Sequence, residues 1–141
     1  TVCWQLRHAS GEICRESSRK VSVEALSACW LEKEEYPEAD ERRDYVSFQM
    51  YEGENRISSG SVLFTVPKYF CFEDPKLQAE ARGEEILIRA EAYAKSVEIR
   101  NENDDLLLED NFFDMDPGVR RIRILRGKPE GIQVRSVYDI R

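Results

Sequence analysis

Acidic side chains crowd one part of this chain: Asp104, Asp105, Glu109, Asp110, Asp114 and Asp116. Carboxylate oxygens in such numbers suit calcium, a hard cation. The spacing lacks the glycine-centred loop of an EF-hand, and Leu106, Leu107 and Leu108 interrupt it with residues that a strand turns inward. Asp110, Asn111 and Asp114 read better as side chains that satisfy turn and bulge backbone groups. No metal set is expected. Cys3, Cys14, Cys29 and Cys71 form no C-x-x-C pair, and His8 is the single histidine, so zinc has no pattern to occupy. Cys3 and Cys29 adjoin Trp4 and Trp30, which predicts buried free thiols. A disulfide from Cys29 to Cys3 or to Cys14 is the alternative. His8 reads as a surface residue beside the Ser10-Gly11 turn, with no Ser-His-Asp arrangement around it.

Aromatic side chains offer a second chemistry, since the apolar face of a sugar ring sits well on a π-surface. Trp4, Trp30, Tyr36 and Tyr51 are the candidates. Tyr36, next to Pro37 in a loop, is foremost, and Trp30 is kept beside it; Trp4 is assigned to the core. Arg120, Arg121, Arg123, Arg126 and Lys128 form a basic run. On an alternating strand it is most simply a solvated face, and docking onto an acidic neighbour is the functional alternative.

These residues must be held by short strands. The 141 residues suffice for one ordinary domain or two small ones. The net charge of −7 argues against a nucleic-acid or anionic-membrane partner, and no apolar run reaches membrane-spanning length. No Asn-x-Ser/Thr acceptor occurs, from which we expect a bacterial, cytoplasmic origin. Val2, Trp4 and Leu6 alternate with polar neighbours, as do Val46, Phe48 and Met50. Val23, Leu26 and Trp30 have helical spacing, yet Ala28, Trp30 and Glu32 also fit one strand face, and the all-β context favours strand. Glu52-Gly53-Glu54-Asn55 predicts a hairpin turn, and Ser58-Ser59-Gly60-Ser61 a loop. Pro67 to Pro75, with Tyr69, Phe70 and Phe72, predicts a rigid junction between a unit at 1–72 and a unit at 73–141. Alternation at residues 85–91, 94–100 and 119–125, then Ile132, Val134, Val137 and Ile140, gives the second unit roughly six or seven strands, a β-sandwich. The first unit counts about five or six strands, a sandwich lacking its opening strands and leaving an unpaired edge open to self-association. A fragment of a longer protein would look so.

The second unit turns on Glu109-Asp110-Asn111-Phe112-Phe113-Asp114-Met115-Asp116-Pro117-Gly118. Either Phe113 covers a second surface, or the strand bends and both rings go inward. Asp116-Pro117-Gly118 then ends the strand. Together with Ala90-Glu91-Ala92-Tyr93-Ala94-Lys95-Ser96-Val97-Glu98-Ile99, this run resembles the C-terminal immunoglobulin-like domain of β-mannosidases and related enzymes of glycoside hydrolase family 2. Met115 and Asp116 stand where that family usually has an apolar pair. Residues 1–72 resemble the preceding sandwich of the same enzymes through Val2-Cys3-Trp4-Gln5-Leu6, residues 27–31 and Phe64-Thr65-Val66-Pro67-Lys68.

The resemblance implies a fold of tandem immunoglobulin-like β-sandwiches, all-β, from a multi-domain exo-glycosidase acting on terminal β-D-mannosides. Its chemistry is retaining hydrolysis by two glutamates in a (β/α)₈ barrel. Such a barrel needs about 200 residues or more, so no catalytic residue carries over. Asn101-Glu102 resembles the pair that bears the acid/base in that clan, but here it falls in a polar turn. A general acid needs a pocket that raises its pKa, so a solvated turn is expected. The expected role is an accessory, non-catalytic one without a cofactor. The partners are the barrel and other domains of the parent enzyme. An oligosaccharide partner belongs to the competing reading as a carbohydrate-binding module. An unrelated adhesion-type immunoglobulin-like domain would need a disulfide flanking a central Trp, and no Cys or Trp lies beyond Cys71.

Overall fold

The computed structural model describes residues 1–140. Alternating residues build Val2–His8 (β1), Ile13–Arg19 (β2), Asp44–Glu52 (β3) and Asn55–Leu63 (β4) into one antiparallel sheet, ordered β2-β1-β3-β4. The hairpin β3-β4 turns at Gly53, whose φ of +60° suits a residue without a side chain. Register gives the sheet two unlike faces. Trp4, Phe48 and Gly60 form one row, and Leu6, Val46 and Val62 the next. The opposite face carries the row Gln5, Ser47 and Ser61 and the pair Arg7 and Tyr45. One face is thus apolar, and the other is polar with a tyrosine set into it. Phe48, Met50 and Val62 on the apolar face remain exposed.

Three expectations for this half are corrected. It has four strands among the described residues, in one sheet. Residues 58–61 belong to β4, because β3 supplies backbone partners along their whole length, and Phe48 lies over Gly60. The strand expected around Ala28 to Glu32 does not form. Val23, Leu26 and Trp30 project into solvent, and no strand among the described residues pairs with theirs. With them goes the burial of the thiols: Cys29, Cys14 and Cys71 are exposed and Cys3 is half-buried, all four free.

Pro67–Tyr69 makes one turn of 3₁₀ helix, and Phe70 and Phe72 then bury their rings while Tyr69 stays in solvent. Gln78–Arg82 (β5), Glu85–Ala90 (β6), Ala94–Arg100 (β7), Leu107–Leu108 (β8), Phe113–Met115 (β9), Gly118–Arg126 (β10) and Gln133–Arg135 (β11) follow. They form two sheets, β5-β6-β10-β8 and β11-β7-β9. Ile86, Ile88, Val97, Ile99, Phe113, Met115 and Ile122 fill the space between them. This half is a sandwich whose two inner faces supply its core. The chain's last apolar residues close as a short helix, Val137–Ile140 (α1), instead of continuing a strand. The Ser136 hydroxyl accepts from the Tyr138 amide, and Asp139 accepts from the Ser136 amide at 2.7 Å, so local capping bonds replace ladder bonds.

Candidate functional site

The polar face of the first sheet meets the second half along the segment 113–117, and the chemistry-bearing residues converge there. Tyr45 from β3 and Tyr93 from the turn before β7 stack with ring centroids 3.8 Å apart. Phe70 and Phe72 pack edge-on and face-on against Tyr93. Ala9 completes this second buried cluster, and its carbonyl accepts the Tyr93 amide at 3.0 Å. Each phenol then reaches a polar group of the opposite half, a carboxylate for Tyr45 and the Ser61 hydroxyl for Tyr93. Tyr45 donates to Asp116 Oδ1 at 2.7 Å. Ser61 Oγ donates to Asp114 Oδ2 and lies 2.5 Å from the Tyr93 hydroxyl.

The carboxylates are held from several sides. Asp114 also accepts from Lys95 Nζ at 3.0 Å and from the Ser96 amide at 2.8 Å. Ser96 sits at φ +52°, within the irregularity of β7 between Ala94 and Val97, so Asp114 satisfies the amide that the bulge takes out of the ladder. Arg7 Nε lies 3.6 Å from Asp116 Oδ2. Burial, and next the charge of the facing aspartate, pushes both phenols well above the ordinary tyrosine range. A cavity of about 200 Å³ remains at the joint, lined by Arg7, Ser47, Ser61, Tyr93, Asp114 and Asp116 among others.

The six acidic residues are dispersed. Asp104 pairs with Arg100, Asp105 with Asn101, Glu109 with Arg123, Asp110 with Arg120, and the last two serve the joint. Among the described residues, no three metal-type ligands converge. Asn111 does what the spacing predicts: it accepts from the Ile99 and Phe112 amides and donates to the Ile99 carbonyl. Asn101 departs from the solvated turn. It is buried, with its amide bridging Asp105 and the Lys128 carbonyl, while Glu102 beside it is exposed. Arg120 leaves the solvated basic face as well: it turns inward with Ile122, pairs with Asp110 and lies 3.9 Å over the Phe113 ring. His8 is half-buried and meets Asp44 Oδ1 at 2.8 Å, whereas Ser10 Oγ accepts from the Glu12 amide.

Of the aromatic candidates, Trp30 is 92% exposed. Tyr36 has one face under Arg15, 4.3 Å away, and its ring meets Phe64 edge-on. Tyr51 bonds Gln49. Trp4 is half-buried, with its indole N–H buried and unpaired. Phe112 and Phe113 divide in a way neither expectation foresaw. Phe113 enters the core, and Phe112, at φ +59°, stays 63% exposed. The joint residues Tyr45, Tyr93 and Ser61 were not singled out from sequence, since a tyrosine at an alternating position carries no mark of its partner.

Residues 1–69 match the family model described as the mannosidase Ig/CBM-like domain, and residues 72–140 match that of the mannosidase Ig-fold domain. The chain belongs to the mannosidase-type immunoglobulin-like domains. No curated protein matches it. These mannosidase-type domains form an accessory region of a mannosidase-type enzyme, and the two matches adjoin at Phe70 and Cys71, beside the aromatic cluster of the joint.

Proposed function

We propose that this chain is a non-catalytic, structural region of a β-mannosidase-like glycoside hydrolase whose parent enzyme cleaves terminal β-D-mannosides. Its partners are the catalytic barrel and the other domains of that enzyme. The observation that carries this reading is the engagement of Asp114 and Asp116, the two carboxylates of the central cavity, with Ser61, Tyr45 and Arg7 of the other half. Retaining hydrolysis needs two carboxyl groups free to act on substrate as acid/base and nucleophile. Here the carboxylates orient one sheet on the other. The exposed apolar face with Phe48, Met50 and Val62 gives the region a surface to bury against a neighbour.

An aryl β-D-mannoside assay on the purified chain tests this. The expected result is no turnover above buffer. Turnover that disappears in Asp114→Asn or Asp116→Asn would overturn the reading.

A further inference from the structure

Phe112 is an exposed aromatic ring on a backbone conformation that L-residues rarely adopt. The loop between β8 and β9 would accept Asn or Gly there at lower conformational cost, so backbone conformation and core packing give no reason for a phenylalanine. The ring borders a groove of about 390 Å³. Its walls are Ser59 and Gly60 of β4, Lys95 and Ser96 of β7, and Asp110, Asp114 and Arg120. Ser96, at φ +52°, is a second non-glycine residue in the left-handed region beside the same groove. Backbone strain of this kind is held where the surrounding structure needs a side chain in a set direction.

The chemistry of the walls selects the ligand. Lys95 and Arg120 balance Asp110 and Asp114, so the groove has no net charge to attract an ion. Its two ion pairs, Lys95 with Asp114 and Arg120 with Asp110, set donors and acceptors beside one exposed apolar ring. Hydroxyl groups both donate and accept, and the C–H face of a pyranose is apolar. Pockets that bind small ligands begin at about 300 Å³, which this groove exceeds. We infer that the groove beside Phe112 binds a neutral hexopyranose unit of an oligosaccharide, with the ring of Phe112 as platform and Asp110, Lys95 and Arg120 bonding the hydroxyls. This site goes beyond the structural role proposed above, and either can fail without the other.

The test is an amide chemical-shift titration of the chain with mannobiose, beside the variant Phe112→Asn. Asparagine tolerates positive φ, so this variant keeps the fold and loses only the platform. The expected result is saturable shifts at Lys95, Ser96, Phe112 to Asp114 and Arg120. The variant, with the joint resonances of Tyr45 and Tyr93 unmoved, should bind about tenfold more weakly or not at all. Absence of saturable shifts in the unaltered chain, or undiminished affinity in Phe112→Asn, would overturn the assignment.

Discussion

Tyr45, in the first sheet, donates its phenolic proton to Asp116, 71 residues later, across 2.7 Å. The donor is fully buried, so the bond works away from competing water. Replacing Tyr45 with Phe keeps the ring on Tyr93 and removes one proton donor from a carboxylate. We expect a loss of about 1.5–3 kcal/mol, the range for a hydrogen bond to a charged group. Urea denaturation should show a lower midpoint with an unchanged slope.

Stability should fail at alkaline pH for a reason located at the same joint. Burial first, and then Asp116 and Asp114, hold the Tyr45 and Tyr93 phenols protonated beyond the ordinary value near 10. In the unfolded chain both ionise near pH 10. Unfolding above that pH therefore releases protons, and stability, level in this respect below pH 10, declines as pH rises past it. Thermal melts between pH 8 and 12 check the direction. Ultraviolet titration should show two tyrosines that ionise only together with unfolding.

Gly11 faces Pro117 across the two halves. A Cβ at Gly11 would stand 2.1 Å from Pro117 Cγ, and φ there is +90°. Gly11→Ala should cost roughly 2 kcal/mol or more, from backbone strain and overpacking together. A drop in melting temperature reads this. Pro117→Ala in the same background should restore part of it, since removing the ring frees the space, whereas the strain at Gly11 remains.

The two tryptophans should report opposite surroundings. Trp30 is almost wholly in water and Trp4 is partly shielded. Acrylamide should quench the emission of Trp30 strongly and that of Trp4 weakly, resolved with Trp30→Phe. Trp30→Ala should change folding stability by no more than about 0.5 kcal/mol. A larger loss would mean that the segment around Trp30 packs on the sheet.

Where alternation met a neighbouring strand, the sequence was readable. β6, β7 and β10 lie where Ile86, Ile88, Val97, Ile99, Ile122 and Ile124 recur at period two. Pairing, however, is not local information. Ala28 to Glu32 can also be set on two strand faces and yet forms no strand, and no strand among the described residues pairs with it. Ser58, Ser59 and Gly60 have loop composition and still form a strand, because β3 pairs with them and Phe48 covers the glycine. The joint was hidden for a similar reason. Asp114 showed its turn-stabilising role in its own neighbourhood, but its partner Ser61 is 53 residues away. Phe112 needed its φ to be known before its outward direction could be understood.

Phe70 lies between the two matched segments and Phe72 opens the second, and both are buried in one cluster with Tyr45 of the first and Tyr93 of the second. A gene-level cut placed at this join would strip the aromatic lid from whichever portion lost it. Recombination, protease trimming and truncated expression should all treat residues 1–140 as one heritable block, transferable between enzymes only as a pair.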